Sequence, residues 1–298
     1  MPELPEVETT VRALAARLAG RRLTDVVQRR PDIRFPLPER LADRLRGRTL
    51  QRFARRAKFI QCFLDDGDVM LLHLGMSGRL LLDGTPRGPH EHLTFAFDDG
   101  SVLRFVDPRR FGMLDLWPAA SLGEHRWLAR LGLEPLDPSF DGRALAGALA
   151  GRRTALKLAL MDQRLVVGVG NIYASESLFR ARLSPLRPAG SLGPRQAQRL
   201  ARAVGAVLRE AIGAGGSSLR DYVQADGELG NFQRDFCVYG RAGAPCTACG
   251  RPVERVVQGA RATFWCPACQ RGGSRPKVPD GRGRRPAWTV VSGGKGCA

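Results

Sequence analysis

The sequence predicts an α+β chain of several domains: an antiparallel β-sandwich led by one helix, then a helical segment, then a small cysteine-bound hairpin. Three observations predict it. Seven short strand-like runs crowd residues 22–117, with Asp65-Asp66-Gly67 and Asp98-Asp99-Gly100 as turn signals between them. From Leu122 the apolar spacing turns helical. Cys246-x2-Cys249 and Cys266-x2-Cys269 form two tight pairs beyond the helices.

Each element has its own signal. Val7, Val11, Leu14 and Leu18 repeat at helical spacing, and Gly20 stops that helix. The strand-like runs are Arg22–Gln28, Phe59–Leu64, Val69–Leu74, Arg79–Leu82, Leu93–Phe97, Val102–Val106 and Met113–Trp117. Short strands at this spacing pair as an antiparallel sandwich. Helices are expected at Leu122–Leu131, Gly142–Ala150, Leu156–Met161, Ile172–Ala181 and Pro194–Ala214, with Pro185 and Pro188 in the loop before the last. The stretch Gly213–Phe236 is rich in Gly, Ser, Asp and Asn and too long for a plain connection. The expected domains are 1–121, 122–236 and 237–271. Residues 272–298, rich in Gly, Pro and Arg, read as a flexible basic tail.

The 298 residues are 43% hydrophobic, enough for real cores and against global disorder. A formal charge of +18 calls for a polyanionic partner, nucleic acid first and an anionic membrane surface second. No run is long and apolar enough to span a bilayer, and the acidic MPELPEVETT opening is not a signal peptide. The seven cysteines do not form a secreted disulfide framework, so a reducing cytoplasm is expected.

Four thiolates in two CxxC knuckles, sixteen residues apart, close a tetrahedral Zn²⁺ site at Cys246, Cys249, Cys266 and Cys269. With no open position the ion is structural; it fixes a hairpin too small to have a core. Arg261, among small and aromatic residues in that hairpin, reads equally as a phosphate ligand or a solvated arginine.

Proline at position 2 permits removal of Met1, which exposes a secondary amine. An α-amine titrates near pH 8, so an appreciable fraction is neutral at pH 7. Such an amine can attack a sugar C1′ and collapse to a cationic imine, with Glu3 beside it to move protons. The same residues also suit an ordinary helix lead-in.

These features meet in one family. PELPEVET, RRAKF around Lys58, HLGMSG at His73–Gly78, DPRRFG at Asp107–Gly112, LMDQRLVVGVGNIYASESLF at Leu160–Phe179, VYGR at Val238–Arg241 and the cysteine module occur in order. Across Met1–Arg271 the chain resembles the bacterial formamidopyrimidine-DNA glycosylases (the Fpg/Nei family). The resemblance implies a sandwich, a helix–two-turns–helix domain and a zinc finger, with DNA between them. It implies a monomer that excises oxidised purines (8-oxoguanine, formamidopyrimidines) from double-stranded DNA and cleaves abasic sites by β,δ-elimination.

Residue by residue, Pro2 resembles the Schiff-base nucleophile, Glu3 the catalytic acid, Lys58 the β-elimination lysine and Arg261 the δ-elimination arginine. Arginine is a poor proton donor, which favours phosphate clamping for Arg261. His90, Arg109 and Arg152 match DNA-contact positions. His90 and His92 also look like a metal pair, but no further ligands accompany them. Met76, Arg109 and Phe111 match the trio that fills the stack when a base is extruded. Gly168-Val169-Gly170-Asn171 opens a helix, where backbone amides bind phosphate and Asn171 and Lys157 would add donors. The loop 217–236 resembles a lid over the extruded base. Two other readings stay open: a branch acting on oxidised pyrimidines, and a noncatalytic zinc protein that binds damaged DNA. The PELPE opening and the long loop favour the purine branch.

Overall fold

Leu4, Val7, Val11, Leu14 and Leu18 share one face of the helix α1 (Leu4–Leu18), and all are buried. The computed structural model describes residues 1–83, 88–217 and 230–272. The basic tail and the middle of the proposed lid lie outside them. The chain divides into two compact units, Met1–Leu131 with Leu208–Arg234, and Gly132–Val207 with Asp235–Ala298.

In the first unit α1 is followed by β1 (Leu23–Gln28), α2 (Leu41–Leu45), β2 (Leu50–Arg56), β3 (Phe59–Leu64), β4 (Asp68–His73), β5 (Arg79–Leu82), β6 (Glu91–Phe97), β7 (Val102–Val106) and β8 (Met113–Pro118). They form two four-stranded antiparallel sheets, β1-β6-β7-β5 and β2-β3-β4-β8. Leu93, Phe95 and Phe105 of one and Ile60, Leu72 and Leu114 of the other join the inner face of α1 in one core. This is the sandwich the alternation predicts.

The short helix α2 and the strand β2 escape the sequence reading, and one expected helix is absent. The edge strand β2 presents arginines rather than an apolar alternation. The expected helix Leu122–Leu131 does not form; Ala119–Glu124 is 3-10 and turns follow. Tertiary bonds outweigh helical spacing there. His125 is fully buried, with Nε2 3.1 Å from an Asp115 carboxylate oxygen and Nδ1 accepting from Trp127 N–H. Trp127 packs against Phe35 and Phe59.

In the second unit the helices are α3 (Gly142–Leu149), α4 (Leu156–Met161) and α5 (Asn171–Arg180), and α6 (Pro194–Gly213) begins there. Asp141 caps α3 by accepting from Ala144 N–H at 2.8 Å. A hairpin of β9 (Glu254–Gln258) and β10 (Arg261–Trp265) follows. Its two-residue turn, Gly259-Ala260, has φ of +53° and +59°, as a twisted hairpin requires. Among the described residues no helix is long and apolar enough to cross a membrane.

Candidate functional site

The start of α1 is built to hold Pro2 and Glu3 still, and both are buried. Glu3 caps the helix in a capping box with Glu6. The Glu6 carboxylate, itself buried, accepts from Glu3 N–H at 2.8 Å and from Ser217 N–H at 2.8 Å. One side chain therefore joins the chain tip to the base of the loop after α6. Ser217 and Asn231 close that base as an antiparallel bridge. Gly216, at φ +82°, leaves only 3.1 Å between a would-be Cβ and Glu6.

Lys58 is buried in the turn between β2 and β3, where Ala57 takes φ +55°. Arg55 braces this turn against α1: Nε donates to Glu8 at 2.8 Å and Nη1 to the Ala57 carbonyl at 3.0 Å. The ring of His73 lies 4.8 Å from Phe59. Burial, with Lys58 and Arg34 repelling a second positive charge, lowers the His73 imidazole to about 3. It is neutral, and its Nδ1 accepts from Gly75 N–H at 2.9 Å.

Met76, Arg109 and Phe111 ride on two turns that are tied together. Asp107, fully buried, accepts from Ser77 Oγ at 2.6 Å and from Gly112 N–H at 2.7 Å. Ser77 Oγ accepts in turn from Arg109 N–H at 3.2 Å. A Cβ at Gly75 would fall 2.3 Å from the Phe111 carbonyl carbon, so only glycine allows this approach. Arg109 and Phe111 are exposed, with the guanidinium 5.0 Å from the ring centre. A large exposed aromatic beside an exposed arginine suits a wedge for a base stack.

His90 is exposed at φ +67°. Its neighbour His92 is buried and spends Nε2 on the Asp107 carbonyl at 2.8 Å, so the two do not form a metal pair. Arg152 is exposed after α3, with Nε donating to the Ala148 carbonyl at 3.2 Å. Arg164 pairs with Asp162 at 2.8 Å.

Two expected phosphate ligands turn inward. Lys157 is fully buried, and its ammonium donates to Asn171 Oδ1 at 2.5 Å, Thr263 Oγ1 at 2.7 Å and the Ala262 carbonyl at 2.9 Å. Three hydrogens meet three acceptors, which rules out direct phosphate contact by Lys157 in this conformation. Asn171, half-buried, donates to the Ala262 carbonyl at 3.0 Å. Both side chains fasten the hairpin to the starts of α4 and α5, leaving Arg261 exposed at its tip. Sequence spacing could not show this, because Lys157 and Thr263 are 106 residues apart. Glu176 is structural, accepting from the N–H groups of Cys237, Val238 and Tyr239 at 2.8–3.0 Å.

The four module cysteines place their sulfurs within 4.8 Å of one another. Cys246–Cys269 and Cys249–Cys266 are 3.9 and 3.6 Å apart, too long for disulfides. Zn–S bonds of about 2.3 Å put tetrahedral sulfurs about 3.8 Å apart. The donor set fits one zinc ion.

Three family models match the chain: the formamidopyrimidine-DNA glycosylase N-terminal domain over residues 1–114, its H2TH domain over 131–223, and the zinc finger found in FPG and IleRS over 243–272. The formamidopyrimidine-DNA glycosylase of Acidiphilium cryptum is 53% identical over 276 residues, covering 91% of this chain and all of that one. That of Cereibacter sphaeroides is 51% identical with the same coverage. Among solved structures, MutM (Fpg) from Thermus thermophilus aligns with a TM-score of 0.81 at 46% identity, covering 90% of this chain and 98% of that one. A Lactococcus lactis Fpg bound to abasic-site DNA aligns with a TM-score of 0.83 at 32% identity, covering 91% and 100%. With three matching domains in order and relatives identical at half of all positions, the chain belongs to the formamidopyrimidine-DNA glycosylase family.

Proposed function

We propose that the chain is a bifunctional DNA glycosylase and abasic-site lyase of base excision repair. It excises oxidised purines, including 8-oxoguanine and formamidopyrimidines, from double-stranded DNA and acts as a monomer at the bacterial nucleoid. One observation carries this reading: Pro2 and Glu3 are held at a buried helix start by Glu6, and Arg55 braces the Lys58 turn against the same helix.

With Met1 removed, the Pro2 nitrogen attacks C1′ of the lesion nucleotide. The damaged base leaves with its bonding electrons, and Glu3 supplies the proton that lets the sugar ring open to an iminium. The iminium acidifies C2′. Loss of a C2′ proton expels the 3′ phosphate, and a second elimination expels the 5′ phosphate. The Lys58 ammonium stabilises the departing phosphate. Arg261 clamps phosphates beside the lesion, since its proton is held too tightly for acid catalysis.

Phe111 and Met76 fill the vacated stack, and Arg109 donates to the orphaned base, with O2 and N3 of cytosine as fitting acceptors. His90 and Arg152 hold backbone phosphates. Asn171 stands at the α5 start, where helix amides attract a phosphate, and the Lys157 charge acts on it from behind. One zinc ion on Cys246, Cys249, Cys266 and Cys269 supplies a structural cross-link and takes no part in the reaction.

Borohydride should trap a covalent adduct on an 8-oxoguanine or abasic duplex, and Pro2→Gly should reduce trapping at least tenfold. Equal trapping by the variant removes Pro2 from the mechanism. Across a lesion panel, 8-oxoguanine opposite cytosine should be cut fastest; faster cutting of thymine glycol would assign the chain to oxidised pyrimidines instead.

A further inference from the structure

The strand β6 carries an irregularity beside the turn that holds Arg109. It pairs Glu91 with Val106 and Leu93 with Phe105, so His92 is an extra residue in the ladder, a β-bulge. Bulges re-aim side chains. Here the His92 ring is buried, and its Nε2 lies 2.8 Å from the Asp107 carbonyl oxygen. A carbonyl only accepts, so Nε2 carries the hydrogen. The backbone of His92 is fixed as well, because its carbonyl accepts from Arg29 N–H at 3.0 Å. His90, two residues earlier, takes φ +67°, which is uncommon for a residue with a side chain. Its carbonyl accepts from Asp107 N–H at 3.0 Å. Two backbone irregularities thus converge on Asp107.

The carbonyl that His92 grips also closes a turn. Arg110 N–H donates to it at 3.3 Å, so Asp107-Pro108-Arg109-Arg110 is a β-turn with Arg109 in its third position. Rotating the Asp107–Pro108 peptide would swing that carbonyl away from His92 and carry Arg109 with it. The bonds from Ser77 and Gly112 fix the Asp107 side chain, not the plane of this peptide. Among the described residues, the imidazole is the one group outside the turn that holds this carbonyl.

We propose that His92 is a positioning residue for recognition of the base opposite the lesion. It sets the Asp107–Pro108 peptide, and that peptide sets the direction from which Arg109 reaches the orphaned base. The proposal rests on the glycosylase reading, in which Arg109 donates to cytosine. Hydrogen bonds weaken steeply off axis. A turn free to rock would therefore blur the difference between the two acceptors of cytosine and the donor and acceptor that adenine presents.

The test compares the full zinc-loaded chain with three variants. In His92→Gln the amide nitrogen can stand where Nε2 stands; His92→Leu and His92→Asn leave the carbonyl ungripped. Melting curves confirm the fold, and the polar His92→Asn serves if His92→Leu does not fold. Values of kcat/KM for 8-oxoguanine opposite cytosine and opposite adenine give a discrimination ratio. It should fall about tenfold in His92→Leu and His92→Asn, the scale of one arginine–base contact. His92→Gln should recover most of it. A general loosening of the sandwich would lower both rates together and leave the ratio alone. In an Arg109→Ala background, His92→Leu should change the ratio no further, since the coupling runs through the arginine. An unchanged ratio, or a further drop without Arg109, overturns the proposal. Hydrogen exchange reads the turn apart from activity: the Arg110 amide should exchange about tenfold faster in His92→Leu, and a wild-type rate there also overturns it. A wild type that cuts neither duplex defeats the glycosylase reading instead, and the exchange measurement then decides whether His92 holds the turn.

Discussion

The turns that carry Met76, Arg109 and Phe111 stand on a core of 25 buried apolar residues, among those described, drawn from α1, α2, both sheets and the loops between them. The hairpin that carries Arg261 stands beside a cluster of five, and two of those, Cys246 and Cys266, belong to the zinc set. A core the size of the first offsets the cost of ordering its loops by burial alone. The second cannot, so it relies on a metal cross-link and on one buried ammonium, Lys157. The comparison teaches that two platforms in one chain fail under different insults: one under loss of packing, the other under loss of a ligand or a single charge.

Removing the metal is the widest test of that difference. Chelation, or Cys249→Ser, should unfold the finger and lower affinity for lesion duplexes at least a hundredfold, while the sandwich melts at its usual temperature. Cysteine alkylation and far-ultraviolet dichroism would report the two units separately. Intact DNA binding by the metal-free protein would erase the contrast. Next in size is Lys157→Met, which removes the three hydrogen bonds of the ammonium, although the Ala262 carbonyl keeps its bond from Asn171. At about 1 kcal/mol or more for each, the second unit should lose roughly 3–5 kcal/mol in denaturant melts. Strand cleavage should fall with it because the Arg261 hairpin loosens. A loss below about 1 kcal/mol would show that the ammonium does not hold the hairpin.

A smaller effect is expected at the sandwich. Asp107→Asn keeps one acceptor and gives up the other, costing about 1–2 kcal/mol. Discrimination between cytosine and adenine opposite the lesion should drop with it, because Arg109 loses its brace. Measured kcat/KM ratios for the two duplexes test this, and an unchanged ratio separates Asp107 from Arg109. The smallest effect concerns pH. His73 is held far below its ordinary range, so the unfolded chain binds the extra proton first. Its contribution to stability is complete above about pH 6.5 and shrinks as pH falls toward 3. His73→Gln should flatten that part of the stability profile; a profile identical to wild type would remove His73 from the acid response.

Legibility followed the range of the contacts. Aspartate-glycine turns and alternating strands are local, and the sandwich was readable from them. The zinc set was readable too, since each CxxC pair is a local knuckle. The Asp107 brace, the Glu6 bond to Ser217 and the Lys157 contacts with β10 join residues 30, 211 and about 100 positions apart, and no periodicity encodes them. Strand β2 was missed because its exposed edge needs no apolar alternation, and the helix expected at Leu122–Leu131 gave way to the buried His125.

Gly75 rests its bare backbone against the main chain of Phe111, with no compressible side chain between the two turns. Neither turn can advance or retreat without carrying its neighbour. Under the proposed function, probing a base step and plugging the gap left behind are then a single stroke, and a half-inserted intermediate with one residue engaged has no place on the path.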